Sequence, residues 1–160
     1  MLYRPKNNDL KGFDEFGPKK EIPNLKFLLV DDSIVMRRIL INSLKQLDYN
    51  NFIETDDGET ALAKLFDDKT INFVITDWNM PGISGFELVK KIRSNEKLLN
   101  LPILMVITRG MKDEISSKNP CINDYIIKPF TLQILKEKID KVLSSYAFKI
   151  VAKEITKGVL

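Results

Sequence analysis

Three short apolar runs in this chain each end on charged residues, and this feature constrains the fold more than any other. The runs and the charges that follow them are Phe27–Val30 with Asp31 and Asp32, Phe73–Thr76 with Asp77, and Tyr125–Ile127 with Lys128. Short apolar runs that contain β-branched residues and alternate with helical patterns are typical of buried parallel strands. The three runs are therefore predicted to be strands of one buried parallel sheet.

The charged residues that follow these runs are predicted to meet in one crevice, because ligands bind at the carboxyl edge of such sheets. Three carboxylates that come close repel each other by several kcal/mol per pair at an intermediate dielectric. A hard divalent cation such as Mg²⁺ would relieve this repulsion. A carboxylate beside a cation and a lysine is well placed to accept a phosphoryl group, so this edge is predicted to be a Mg²⁺-dependent acceptor site.

Strand and helix patterns alternate five times from Lys26 onward. The predicted strands lie at 27–30, 52–53, 72–76, 103–107 and 125–127, and the apolar positions of the five predicted helices begin at Met36, Ala61, Phe86, Met111 and Leu132. Ser33 is the predicted N-cap of the first helix. The fourth helix is predicted to be short, because Pro120 disfavours helical geometry at Asn119. The pattern is (βα)₅, which predicts an α/β fold with a doubly wound parallel sheet covered on both faces.

The length of 160 residues suits one domain. Residues 1–24 mix Asn, Lys, Asp, Gly and Pro and are predicted to be a flexible N-terminal tail. Residues 25–145 are predicted to form the folded domain, and residues 146–160 a C-terminal extension.

Histidine does not occur in the sequence. Acid–base catalysis by histidine and metal ligation by histidine are therefore excluded for this chain. A phosphohistidine that donates a phosphoryl group to this chain would have to belong to another protein.

Composition excludes several other classes of function. Lys and Arg are scattered among acidic residues and the net charge is only +3, so no nucleic-acid-binding stripe is predicted. No apolar run approaches the roughly 20 residues of a membrane-spanning helix. Cys121 is the only cysteine, so no disulfide can form within the chain, and a reducing cytoplasm is the predicted location.

Two stretches, Asn24–Ile39 and Thr76–Gly82, are similar to the receiver domain of two-component response regulators, and within that family to the chemotaxis regulators. The resemblance covers about Asn24 to Ser144. It implies a flavodoxin-like five-stranded sheet with the strand order 2-1-3-4-5.

The resemblance also implies a role for each matching residue. Asp77 matches the phosphoryl acceptor, and Lys128 matches the lysine that pairs with it. Asp31 and Asp32 match the acidic pair that holds Mg²⁺ together with Asp77. The two remaining matches are Asn79, whose main-chain carbonyl would complete the metal site, and Tyr125, the aromatic residue that switches rotamer on phosphorylation.

The sequence departs from the family pattern at the end of the fourth strand. Members of the family usually have a Thr or Ser there, whose hydroxyl binds the phosphoryl group, whereas an ungapped match puts Ile107 at this position. Thr108 is predicted to replace the missing hydroxyl, through a one-residue bulge or a loop shift on activation. The alternative is a regular strand, in which Ile107 would take the usual place and offer no hydrogen bond. Adjacent residues in a strand point to opposite faces, so Ile107 and Thr108 cannot both face the phosphoryl group.

The leading hypothesis is a single-domain switch that catalyses only its own phosphorylation and dephosphorylation. The predicted partners are a histidine kinase of the chemotaxis type, the flagellar motor switch and a phosphatase. No DNA-binding module is predicted, because only about fifteen residues follow the last helix. Two alternatives are an aspartate-nucleophile phosphohydrolase and an interaction module that works without phosphorylation.

Overall fold

The computed structural model describes residues 24–118 and 121–156, together with the dipeptides 13–14 and 17–18. Five strands form the main sheet: β1 Phe27–Val30, β2 Phe52–Thr55, β3 Phe73–Asp77, β4 Ile103–Thr108 and β5 Asp124–Lys128. The helices are α1 Ile34–Gln46, α2 Gly58–Asp67, α3 Gly85–Arg93, a 3₁₀ turn Arg109–Met111, α4 Lys112–Lys118 and α5 Leu132–Thr156. The two dipeptides, Phe13–Asp14 and Gly17–Pro18, pair as short antiparallel strands.

The strand order of the sheet is β2-β1-β3-β4-β5, and all neighbouring strands run parallel. This order confirms the predicted 2-1-3-4-5 arrangement and the (βα)₅ fold. Each helix connects two parallel strands or follows the last one, so the carboxyl ends of all five strands lie at one edge of the sheet. The charged residues that end the strands are thereby brought to the same side of the molecule.

Two apolar clusters cover the two faces of the sheet, as a doubly wound fold requires. On one face, α2, α3 and α4 contribute buried residues such as Leu65, Leu88 and Ile115. On the other face, α1 and α5 contribute residues such as Leu44 and Ile139. The three central strands β1, β3 and β4 are buried on both sides, apart from Thr108 at the end of β4, which explains why they read as continuous apolar runs.

Some element boundaries differ from the sequence-based prediction. β2 continues through two polar residues to Thr55, because each of its residues pairs with a residue of β1. The fourth helix is short, as predicted, with only seven residues. α5 runs through position 145 to Thr156. The predicted tail, residues 1–24, lies outside the described residues apart from the two dipeptides and Asn24. In the part of the chain that the structure describes, no helix is both long and apolar enough to cross a membrane.

Arg93, at the end of α3, ties together the loops at the amino edge of the sheet. Its guanidinium donates to the carbonyl oxygens of Leu101 at 2.8 Å and Cys121 at 2.7 Å, and to the side chain of Asn123 at 3.2 Å. The same side-chain oxygen of Asn123 accepts from the backbone N–H of Ile103 at 2.8 Å. The starts of β4 and β5 are therefore fastened to α3 and to each other.

Candidate phosphoryl-acceptor and metal site

The carboxylates of Asp31, Asp32 and Asp77 meet at the carboxyl edge of the sheet. Each offers one oxygen, and these oxygens all lie within 4.8 Å of one another. Asp31 follows β1 directly and is buried, Asp77 ends β3 and is buried, and Asp32 is exposed. The structure thus brings together the three carboxylates that the sequence analysis selected, with one open to solvent.

Lys128, the last residue of β5, completes the charged group. Its Nζ lies 2.8 Å from Oδ1 of Asp77, whose side chain is only 7% exposed. The ammonium is partly buried, with 22% of the side chain exposed. An ion pair that is partly buried is screened less by salt than one on the surface, so Lys128 neutralises much of the Asp77 charge.

Asp31 carries the feature that most favours a bound cation. Its Oδ1 accepts from the backbone N–H of Ser33 at 2.8 Å, whereas its buried Oδ2 has no hydrogen-bond partner among the described residues. Burial raises the pKa of the Asp31 carboxyl. The N–H of Ser33 and the charge of Lys128 oppose this shift, and the charge of Asp77 adds to it. A buried carboxylate oxygen without a partner is costly, and a cation would supply the missing partner.

The donor set fits Mg²⁺. Mg²⁺ prefers oxygen ligands, uses one or two protein carboxylates and keeps several of its waters. Exposed Asp32 leaves room for those waters, and the described residues bring no sulfur or imidazole ligand into the cluster. The residues present therefore suit the cation that the sequence analysis predicted.

The loop of residues 78–84, called the acceptor loop because it follows the predicted acceptor Asp77, packs against the start of α3. The backbone N–H of Gly85 donates to the carbonyl oxygen of Trp78 at 2.8 Å. Ser84 caps the helix and forms a capping box with Glu87. The Trp78 ring stacks on Phe86, with centroids 5.3 Å apart. Only a glycine fits at position 85, because a β-carbon there would collide with the main chain of Asp77. Gly85 was not predicted to matter, although a glycine at the start of a helix, just after the acceptor loop, could have indicated a close approach of the two.

Asn79 is exposed, and its side chain points toward the turn after β4. Its amide nitrogen donates to Sδ of Met111 at 3.4 Å, a weak hydrogen bond. This contact links the acceptor loop to the 3₁₀ turn that precedes α4. The metal role of the Asn79 main-chain carbonyl stays a prediction.

The end of β4 is regular, so the predicted bulge is wrong for this structure. The ladder pairs Asp77 with Val106, Ile107 with Ile127 and Thr108 with Lys128. Paired residues in a parallel ladder, and residues two apart along a strand, share a face. Thr108 therefore shares a face with Asp77 and Lys128 without any bulge.

Ile107 takes the opposite face of β4. It is fully buried in the apolar cluster that also contains Met111 and Ile115. This burial explains why the strand stays regular, because a bulge would remove Ile107 from its apolar contacts and disrupt the ladder. Thr108 is exposed and its hydroxyl caps no helix.

Tyr125 lies near the start of β5, half-buried against the cluster on the α4 side of the sheet. Nζ of Lys138 lies 5.2 Å from the centre of its ring, within cation–π range. Lys138 also donates to both oxygens of Asp124, at 3.1 Å each, and Lys141 lies 2.9 Å from Asp124 Oδ2. Tyr125 is thus in contact with α5, whereas the predicted rotamer switch stays a prediction.

Comparisons with known proteins show which proteins this chain is similar to. The sequence profile of the response regulator receiver domain matches residues 27–140. Chemotaxis protein CheY-3 of Vibrio cholerae is 48% identical over 120 residues, which are 74% of this chain and 92% of that protein. Chemotaxis protein CheY of Pseudomonas aeruginosa is 45% identical over 119 residues, 74% of this chain and 95% of that protein.

A solved structure extends the similarity to the fold. The structure of the chemotaxis response regulator CheY4 of Vibrio cholerae superposes with a TM-score of 0.66 and 31% sequence identity. The superposition covers 74% of this chain and 98% of that chain.

Proposed function

This chain belongs to the response-regulator receiver family and is a CheY-type receiver domain of two-component signalling, and we propose that it is a single-domain switch whose phosphoryl acceptor is Asp77. The observation that supports this most strongly is the placement of Asp77. Its carboxylate lies within 4.8 Å of two further carboxylates and 2.8 Å from the ammonium of Lys128. Proteins of this type transmit signals and are not conventional enzymes.

The proposed reaction is transfer of a phosphoryl group to the Asp77 carboxylate. A carboxylate oxygen attacks phosphorus, the bond from phosphorus to the imidazole nitrogen of a phosphohistidine breaks, and an acyl phosphate forms. The released imidazole keeps the electron pair of that bond and takes a proton from water. Lys128, which neutralises Asp77 before transfer, can then pair with the oxygens of the new phosphoryl group.

The carboxylates of Asp31, Asp32 and Asp77 are the residues proposed to hold Mg²⁺, with the carbonyl of Asn79 as a further ligand. When bound, the cation would neutralise charge on the transferring phosphoryl oxygens. The partnerless Oδ2 of Asp31 supports this assignment, because it needs a positive partner in the folded protein.

A receiver domain of this type implies a histidine kinase and a downstream target. Because this chain has no histidine, the donor imidazole must lie on another molecule. We infer that the kinase is of the chemotaxis type, that the target is the flagellar motor switch, that a phosphatase resets the signal, and that all of this takes place in the cytoplasm. The similarity to proteins named for chemotaxis supports this choice.

The two alternative functions have less support. A phosphohydrolase needs a general acid close to its nucleophile. Among the described residues the carboxylate cluster contains no fourth acid, and the Asn79 amide is directed to Met111. An interaction module that works without phosphorylation would not need a buried carboxylate paired with a lysine, since burial of a charge is unfavourable.

Intact-mass measurement after treatment with acetyl phosphate tests the acceptor. One added phosphoryl group is expected with Mg²⁺, and none with a chelator or in Asp77→Asn. Asp67→Asn, which alters an exposed aspartate on α2, is the matched control and should be labelled like the wild type. Undiminished labelling of Asp77→Asn would reject Asp77 as the acceptor.

A pull-down with a flagellar motor switch protein tests the proposed target. Binding is expected to increase when the chain is loaded with beryllofluoride, a mimic of the phosphoryl group. Asp77→Asn should show no such increase. Equal binding of the wild type in both states would reject a phosphorylation switch at the surface that binds this partner.

A further inference from the structure

Arg37, in the first turn of α1, is bonded to the segment that carries two of the proposed metal ligands. Its Nη1 donates to the main-chain carbonyl oxygen of Asp31 at 2.7 Å, and its backbone N–H donates to the carbonyl oxygen of Ser33 at 3.0 Å. Its Nε donates to Oε2 of Glu54, on β2, at 2.9 Å. The Arg37 side chain is mostly buried, with 13% exposed, so the guanidinium forms a fixed bridge between α1, the Asp31 peptide and β2.

These contacts hold the Asp31 peptide from two sides. The backbone N–H of Asp31 donates to the carbonyl oxygen of Thr55 at 3.2 Å, and its carbonyl oxygen accepts from Arg37. Oδ1 of Asp31 is occupied by the N–H of Ser33. The backbone and one carboxylate oxygen are therefore fixed, and the oxygen that remains free is the buried Oδ2 of the acidic cluster.

We propose that Arg37 is a positioning residue for the metal site, one that orients the carboxylates of Asp31 and Asp32 through the main chain. The inference rests on the proposed function, because it concerns the affinity of that site for Mg²⁺. Removal of a group that orients metal ligands in this way commonly weakens metal binding by about 10- to 100-fold.

The positive charge of Arg37, taken alone, predicts the opposite result, a higher Mg²⁺ affinity when Arg37 is removed. A positive guanidinium bonded to the main chain of a proposed metal ligand repels a divalent cation, so its removal should by itself strengthen Mg²⁺ binding. Pairing with Glu54 reduces this repulsion without changing the bond to Asp31. The direction of the change in Mg²⁺ affinity therefore distinguishes a positioning role from a purely electrostatic one.

The experiment is a Mg²⁺ titration that follows the fluorescence of Trp78, the only tryptophan of the chain. Arg37→Gln is expected to bind Mg²⁺ about tenfold more weakly than the wild type. Arg37→Lys keeps the charge but lacks the planar fork, so it should show an intermediate loss. Arg38→Gln removes the same charge from the next, exposed residue of α1 and should not weaken binding.

Thermal unfolding without Mg²⁺ identifies variants that do not fold. If Arg37→Gln does not fold, the Mg²⁺ affinity of Arg37→Lys is the test of the positioning role. The rate of labelling by acetyl phosphate should return to the wild-type rate when Mg²⁺ is saturating. A rate that stays low there, or a folded Arg37→Gln that binds Mg²⁺ as tightly as the wild type or more tightly, would overturn this inference alone. Absence of Mg²⁺ binding by the wild type would overturn the proposed metal site as well.

Discussion

Gly85 lies so close to the main chain of Asp77 that a β-carbon at Gly85 would sit 1.9 Å from the Asp77 carbonyl oxygen. Neither atom can move easily. Gly85 begins α3 and donates to the carbonyl of Trp78, and Asp77 is paired with Val106 in the ladder. The position of Asp77 is therefore set in part by the absence of a side chain at the start of α3.

Gly85→Ala is expected to displace the acceptor loop and to destabilise the fold by about 1–3 kcal/mol, the usual cost of overpacking. Its labelling by acetyl phosphate should also be slower. Gly110→Ala is the matched control, because a β-carbon there meets nothing within 4 Å. Urea unfolding measures the free energy. Equal stability of Gly85→Ala and the wild type would show that the loop adjusts without cost.

Asp31→Asn is expected to stabilise the protein in the absence of Mg²⁺. The amide removes one of three clustered charges and lets the buried, partnerless atom donate to a neighbouring carboxylate, for a gain of about 1–3 kcal/mol. The same variant should lose the stabilisation that Mg²⁺ gives to the wild type. Thermal melts with and without Mg²⁺ measure both effects, and a lower stability of Asp31→Asn without Mg²⁺ would contradict this account.

The advantage of Asp31→Asn should depend on pH. The pKa of Asp31 is raised from its ordinary value of 3.8, so the folded wild type binds the proton more tightly than the unfolded chain. The unfavourable charge is present above the folded pKa and disappears as the pH falls through it toward 3.8. The stability difference between variant and wild type should shrink over that window. A difference that grows on acidification would reject the assignment.

Thr108→Val is expected to weaken the beryllofluoride-bound state if the hydroxyl binds the phosphoryl group. A charge-assisted hydrogen bond contributes about 1.5–3 kcal/mol, so the affinity for beryllofluoride should fall by about tenfold or more. Ile107→Val is the control, since it trims a buried side chain on the opposite face and should change stability rather than this affinity. Normal binding of beryllofluoride by Thr108→Val would mean that the hydroxyl of Thr108 does not contribute to the phosphorylated state.

Asp124→Asn is expected to destabilise the packing of α5 on β5 by about 1 kcal/mol, because the side chain is buried and accepts from Lys138. Burial opposes ionisation of Asp124, but hydrogen bonds from Lys141, the N–H of Tyr125 and Lys138 outweigh it and lower the pKa below 3.8. Ionised Asp124 therefore stabilises the folded protein above pH 3.8, and this stabilisation is lost as the pH falls through the pKa of Asp124 in the folded state.

Asp140→Asn is the comparison for this prediction, because the exposed pair of Asp140 with Lys136 should contribute little. Urea unfolding at several pH values measures both variants. Equal stabilities of the two variants at neutral pH would show that the buried Asp124 pair contributes no more to the free energy of unfolding than the exposed Asp140 pair.

The sequence was sufficient for the sheet and for the charged residues at its edge, because both follow from local patterns. Buried parallel strands read as apolar runs, and the residues after them necessarily share one edge. This is why Asp31, Asp32, Asp77 and Lys128 could be selected together. The short fourth helix was also readable, from a single proline.

The contacts that tune the site were not readable from local patterns. The bond from Arg37 to Glu54 joins residues 17 positions apart on two different elements, a contact that the spacing of residues along the chain does not indicate. The face of Thr108 depended on the pairing register of β4 with β3 and β5, which one-dimensional spacing does not give. The resemblance placed Ile107 by alignment, and the ladder shows which face each residue takes.

The bonds of Arg93 hold the amino edge of the sheet, opposite the edge that carries Asp77. The partners of Arg93 are carbonyl oxygens and an amide, so neither protonation near neutral pH nor charge at the acceptor weakens them directly. Near the carboxyl edge, Met111 packs in the apolar cluster on the α4 side of the sheet, and its sulfur accepts a weak hydrogen bond from the Asn79 amide. A displacement caused by chemistry at Asp77 is therefore expected to reach the turn before α4 through Asn79 and Met111, while the bonds of Arg93 keep the starts of β4 and β5 in place.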